Sequence, residues 1–321
     1  MLFRSDAATP VQVPELILAA NDSIDVRAGA VLEAAGSGAS SSTVNLSAAA
    51  SGALLRLSSG AQATVTRANA SAEAGEITIA EGATLRASRS LLVDATRGTT
   101  SAGQLQVGGE RGAGGSLALS ATQVTLGDAG AGASGLVLNN DALAGYSALD
   151  AFIVHGYAGI DVAGSVVFGS EGLNALTLDT PLLRGVDTGA GARPVITARN
   201  VVLANSGGTR AASSAGTGTL TVQSQTLTLG EGEKAISGFG STLLAASDHI
   251  ALQGAGALRA GGDLQLQAPL VRALGGSAQT LSAEDNHDPA AVVRGRLALS
   301  GGTAAPIADR KSTRLNSSHE W

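Results

Sequence analysis

Short apolar triplets recur along this chain, usually two to a phrase, with a small or polar step between them. Leu117-Ala118-Leu119 leads to Val124-Thr125-Leu126, Leu220-Thr221-Val222 leads to Leu227-Thr228-Leu229, and Ala257-Leu258-Arg259 leads to Leu264-Gln265-Leu266. Looser copies join Leu176-Thr177-Leu178 with Leu182-Leu183, Val195-Ile196 with Val201-Val202-Leu203, and Leu243-Leu244 with Ile250-Ala251-Leu252. Period-two alternation turns every second side chain to one face, so each triplet predicts a strand with one face buried. Strands this short cannot bury a core alone. Their recurrence every roughly 20 to 25 residues predicts a solenoid in which coils stack.

The same cadence fills the first third of the chain. Leu16-Ile17-Leu18, Ile24-Asp25-Val26, Val44-Asn45-Leu46, Leu55-Arg56-Leu57, Ile77-Thr78-Ile79, Leu91-Leu92-Val93 and Leu105-Gln106-Val107 read as strands between Gly, Asn and Asp corners. Ala28-Gly29-Ala30-Val31-Leu32 and Glu81-Gly82-Ala83-Thr84-Leu85 read as turns feeding strands. The organisation that follows is an irregular lead-in over 1–14, a solenoid over 15–308, and looser insertions near 128–150 and 206–218, the first holding a short helix around 140–149. About 14 coils of about 22 residues, with strands about 4.8 Å apart, make an elongated rod of roughly 65 to 70 Å.

Composition sharpens this. Gly is 44 of 321 residues and aromatics are 2%, so the core must come from Ala, Leu and Val, which suits a narrow coil. A hydrophobic content of 44% with regular alternation excludes disorder. Charged residues are 14% and the net charge is −6. With no basic stripe and few rings for stacking, nucleic-acid binding is excluded. There is no cysteine, so no disulfide contributes. No apolar run approaches the about 18 residues of a membrane span, and Met1-Leu2-Phe3-Arg4 leads to Asp6 and Pro10 without the apolar core of a signal peptide. A chain that starts inside a longer gene fits this best.

Residues 309–321 break the style. Asp309-Arg-Lys-Ser-Thr-Arg-Leu-Asn-Ser-Ser-His319 resembles the in-frame translation of a common short-read sequencing adapter. That resemblance implies a non-native tail and a chain cut near Ala308.

Few residues point to chemistry. Gly130-Ala-Gly132-Ala-Ser-Gly135 fits G-x-G-x-x-G, but the strand-like Leu136-Val137-Leu138 follows where a dinucleotide site needs a helix. Gly261-Gly262-Asp263 occurs once, whereas calcium-binding rolls need tandem copies. Glu284, Asp285 and Asp288 flank His287 in the most acidic stretch and are the metal candidates, as oxygen ligands for a cation. Asp150, His155 and Asp161 are the only acid/base set, with Asp179 a further carboxylate. They would have to converge on one groove to serve a glycan-acting enzyme. The aromatic-rich segment from Phe152 to Phe168 and the insertions supply Tyr146, His155, Tyr157 and Arg210 as candidate interaction residues. No nucleophile elbow or phosphate loop is present, and no cofactor is expected.

Three segments, Gly115–Gly127, Gly218–Gly230 and Ala260–Ala268, resemble repeats of filamentous-haemagglutinin-like exoproteins. Gly159-Ile-Asp-Val-Ala-Gly164 is similar to an Ile-Asp-aromatic-Gly phrase of that family, with Val162 at the aromatic position. The resemblance covers about 15–300. It implies a right-handed parallel β-helix and two-partner secretion through an outer-membrane β-barrel transporter. It further implies a secreted or surface location on a Gram-negative bacterium and adhesion to a host-cell, glycan or bacterial-surface ligand. The expected function is the shaft of an adhesin, without catalysis. The alternatives are a β-helix hydrolase or lyase centred on Asp150, His155 and Asp161, and the stalk of a contact-dependent toxin.

Overall fold

A computed structural model describes residues 11–109, 114–130, 133–207, 209–283 and 295–301. The fold is all-β, with one short helix among the described residues. The lead-in, expected to be irregular, ends in strand β1 (Val11–Val13). Then come β2 (Glu15–Ala20), β3 (Ser23–Val26), β4 (Val31–Ala34), β5 (Val44–Ala48), β6 (Ala53–Ser58) and β7 (Ala63–Arg67). They are followed by β8 (Glu76–Ile79), β9 (Thr84–Ala87), β10 (Ser90–Ala95), β11 (Gly98–Ser101), β12 (Gln104–Val107), β13 (Ser116–Leu126) and β14 (Leu136–Leu138). Helix α1 (Asn140–Gly145) leads to β15 (Ala151–Ala163), β16 (Val167–Gly169), β17 (Ala175–Asp179), β18 (Leu182–Val186) and β19 (Val195–Ala204). The rest are β20 (Ala215–Leu229), β21 (Gly232–Ser237), β22 (Phe239–Leu252), β23 (Ala255–Ala260), β24 (Asp263–Gln267), β25 (Leu270–Ala273), β26 (Ala278–Ala283) and β27 (Leu297–Ser300).

Apart from β5 and β7, the strands of the described residues fall into three ladders. Ladder I carries β2, β6, β10, the leading halves of β13 and β15, β17, the trailing halves of β19, β20 and β22, and β25. Its core-facing positions form one row: Leu16, Leu57, Leu91, Leu117, Phe152, Leu176, Val201, Leu227, Ile250 and Val271 stand in register. Between Leu57 and Ile250 every member is at most 1% exposed. Each fully buried side chain of this size contributes about 1.5–3 kcal/mol, so the stack is stabilised rung by rung.

Ladder II holds β3, β8 and β11 as a separate three-stranded sheet at one end, and β14, the trailing halves of β13 and β15, β18, β21, β23 and β26 in the large sheet. Ladder III holds β1, β4, β9 and β12 at one end and β16, β24, β27 and the leading halves of β19, β20 and β22 at the other. Because β13, β15, β19, β20 and β22 pass from one ladder to the next, paired triplets of the sequence become single bent strands. The sheet thereby closes around the core.

Three irregularities depart from an even stack. First, β6 pairs antiparallel with both β2 and β10, so one rung of ladder I runs backwards. The flanking segments leave the stack, and β5 and β7 pair with each other outside it. Their apolar face, Val44, Leu46, Ala63 and Val65, covers Leu92, Ala118 and Ile153 on the outer face of ladder I. Second, the insertion near 128–150 is structured. β14 returns to pair with β13 on the edge opposite β15, and α1 follows, with Asn139 Oδ1 accepting from the Ala142 amide as N-cap. Third, the 206–218 insertion is shorter than its composition suggests, because β20 starts at Ala215. It replaces one rung of ladder II, so β18 pairs directly with β21. The tail 309–321 lies outside the described residues.

Candidate functional site

The outward positions of ladder I carry the densest polar chemistry. Asp94, Ser120, His155 and Asp179 stand in register on neighbouring rungs. Alternation forces this: Val93 and Val154 point into the core, so Asp94 and His155 point out. They are nevertheless buried, Asp94 at 0% and His155 at 7% exposure, because β7 and the corner after β15's leading half cover them.

Arg67, at the end of β7, donates from Nε to Asp94 Oδ2 at 2.8 Å and from Nη1 to the Ala50 carbonyl at 2.7 Å. Tyr157 donates its hydroxyl to Asp94 Oδ1 at 2.7 Å. The His155 and Tyr157 rings lie 4.2 Å apart between centroids, tilted by 47°. Burial raises the Asp94 pKa above its ordinary 3.8, with Arg67 and Tyr157 pulling it back. Burial lowers His155 from its ordinary 6.5, opposed by Asp179 and Asp94. Burial also raises the Tyr157 phenol, and the Asp94 carboxylate adds to that rise. The cluster sets the imidazole beside the Arg67–Asp94 pair, with each carboxylate oxygen of Asp94 already engaged. Asp179 is engaged too, accepting from the Ser206 amide at 2.7 Å and the Ser206 hydroxyl at 2.6 Å.

The acid/base set expected from sequence does not assemble around one groove. β15 turns its corner between Gly156 and Gly159, where a Cβ on Gly156 would collide with the Gly159 carbonyl. His155 stays on ladder I beside Asp179, while Asp161 stands on ladder II in register with Arg184. Arg184 grips Asp161 with two bonds of 2.8 Å. Asp150 is exposed, just before β15 begins. Of the interaction candidates, His155 and Tyr157 meet, while Tyr146 and Arg210 lie elsewhere. Tyr146 packs edge-on against Phe152 at 5.5 Å, and burial pushes its pKa up to about 12. Phe152 in turn meets Phe168 edge-on at 5.6 Å, so Phe168 belongs to the core. Arg210 lies by itself on the insertion, 3.3 Å from Glu233 through Nε.

That insertion lines an open cavity of about 370 Å³, bounded by Asn205, Ser206, Thr209, Arg210 and Glu233. Beside it Lys234, 4% exposed, donates to the carbonyls of Gly230, Glu231 and Gly232. Burial draws its pKa down to about 8. Among the described residues no group of His, Cys, Asp and Glu is arranged to hold a metal, and no helix is long and apolar enough to cross a membrane. The metal candidates Glu284, Asp285 and Asp288 lie outside the described residues, as does part of the Gly130–Gly135 motif.

Comparison with family models, curated proteins and solved structures gave no significant match.

Arg67, Asp94, Arg184 and Lys234 were not singled out by sequence reasoning. One signal existed: Asp94 interrupts Leu91-Leu92-Val93 and Ala95, and a charge within such a run needs a buried partner. Nothing in the sequence pointed to Arg67 as that partner.

Proposed function

We propose that this chain is a shaft segment of a secreted or surface-attached bacterial adhesin, folded as a right-handed parallel β-helix. The observation that carries the reading is the in-register row from Leu16 to Val271, which gives the chain a core one coil thick, extended along the stack. Such a design spends residues on length and surface, not on a deep cavity. The repeats at 115–127, 218–230 and 260–268 support the same reading through their likeness to filamentous-haemagglutinin-like exoproteins. So does the engagement of Asp94, Asp161 and Asp179 in ion pairs or hydrogen bonds. Export through an outer-membrane β-barrel transporter, and contact with a host, glycan or bacterial surface, belong to this proposal. The insertions would present the contacting residues.

Small-angle scattering tests the shape. An elongated particle with a rod-like cross-section supports the reading, and the dimensions of a compact 31.3 kDa sphere overturn it.

A further inference from the structure

The pair formed by β5 and β7 covers ladder I without joining it. The two strands hydrogen-bond to each other and to no other strand, and among the described residues their polar ties to ladder I lie at the two ends of β7. Just before β7 the Ala61 carbonyl accepts from Arg56 Nη1 and from the Ser90 hydroxyl, each at 3.0 Å. At the far end Arg67 meets Asp94. Between these points the contact is apolar, with Val44, Leu46, Ala63 and Val65 lying on Leu92, Ala118 and Ile153. Other bonds stay within the pair and its links: the Thr64 hydroxyl donates to Asn45 Oδ1 at 2.7 Å, and the Ala61 amide to the Ser40 carbonyl at 2.7 Å. A segment with a small apolar footprint and no ladder to the main sheet opens at lower free energy than the sheet itself.

His155 sits at the Arg67 end of this cover. The charged and titratable groups around it are Asp94 of β10, Tyr157 of β15, Asp179 of β17 and, through Asp94, Arg67 of β7. From β13 comes only the uncharged Ser120, in register with it. The insertion closes the same corner: Ser206 holds Asp179, and a Cβ on Gly207 would lie 4.0 Å from the Arg67 carbonyl. An imidazole at 7% exposure that takes up a proton must be paired or hydrated. Both oxygens of Asp94 are engaged by Arg67 and Tyr157, and both of Asp179 by Ser206. Hydration is the route left, and lifting the Arg67 end of β7 supplies it while every rung of ladder I stays paired.

We propose that β5 and β7 form an acid-released lid, hinged near Ala61 and latched by Arg67 on Asp94, which opens when His155 is protonated and uncovers Leu92, Ala118 and Ile153. The sign follows from linkage. In the closed form burial holds the imidazole below its ordinary 6.5, so the open form binds the proton more tightly. Falling pH therefore favours opening, by up to about tenfold for each pH unit between 6.5 and the depressed value. Asp94 pulls the other way, because its raised pKa lets the closed form take up a proton, so the histidine has to be isolated by substitution. The inference does not depend on the adhesin reading.

Amide hydrogen exchange of the full chain, read by mass spectrometry at pH 7.5 and pH 5 and corrected for the intrinsic pH dependence of exchange, tests it. Protection of β5 and β7 should fall several-fold or more at pH 5, while β13 and β15 keep theirs. His155→Gln should remove the difference between the two pH values. Arg67→Met should leave β5 and β7 weakly protected already at pH 7.5, since the latch is gone. Equal protection of β5 and β7 at both pH values in the wild type overturns the proposal. So does a loss of protection shared equally by β13 and β15, which would be opening of the whole stack. A pH response that persists in His155→Gln overturns the histidine's part in it. The wild-type comparison stands by itself, so a variant that failed to fold would leave the test intact.

Discussion

Arg67 and Asp94 bind an outer strand to the wall of the stack. The guanidinium ends β7, outside ladder I, and its Nε and Nη2 lie 2.8 and 2.6 Å from a single carboxylate oxygen on β10. Both side chains are almost wholly buried, at 4% and 0% exposure. Removing one partner strands the other charge away from water. Arg67→Met should therefore cost about 3–5 kcal/mol, and the double variant Arg67→Met with Asp94→Asn should cost less than that single change. Urea denaturation of the three proteins checks the order, and a double variant that is the least stable would contradict it.

His155 gives the fold a pH dependence of known sign. Its folded pKa lies below the ordinary 6.5, so the unfolded chain takes up the proton first as pH falls. The stability it contributes is present above about pH 6.5 and is lost as pH falls toward the depressed value. Asp94, with its folded pKa raised, works in the opposite direction at lower pH. Comparing His155→Gln with wild type isolates the histidine: the wild-type urea midpoint should fall more steeply below pH 6.5.

Lys234 acts on the alkaline side. Its folded pKa of about 8 lies under the ordinary 10.5, so the unfolded chain holds the extra proton between the two. Stability should rise with pH through that window. Lys234→Met should flatten the rise, read again from denaturation midpoints.

Phe152 joins the apolar row of ladder I to the ring contacts with Tyr146 and Phe168. Phe152→Ala should cost about 3–5 kcal/mol through lost burial and the cavity left behind. A cost under about 1 kcal/mol in thermal or urea unfolding would mean that the rungs repack freely.

Asp161 is the discriminating position for chemistry. Arg184 is 47% exposed on its side of the pair, so Asp161→Asn should cost only about 0.2–1 kcal/mol. A glycan-degrading activity that vanished in this variant would overturn the structural reading and restore the catalytic one.

Period-two alternation determined much of this molecule. The triplets at Leu55–Leu57, Leu91–Val93, Leu117–Leu119 and Leu264–Leu266 all fall in strands, because burial of every second residue is a local property of an extended chain. A short helix was expected around 140–149, and α1 spans Asn140–Gly145. Only the tertiary structure decided which strand pairs with which. Alternation carries no direction, so Ala53–Ser58 reads the same whether its neighbours run with it or against it, and the reversed rung was invisible. Nor does it say what covers an outward face. Asp94, His155 and Tyr157 became a buried cluster because β5 and β7 fold over ladder I and bring Arg67 across 27 residues of chain. Burial of an inward residue follows from its own strand; burial of an outward one depends on a distant segment, and that dependence exists only in the folded chain.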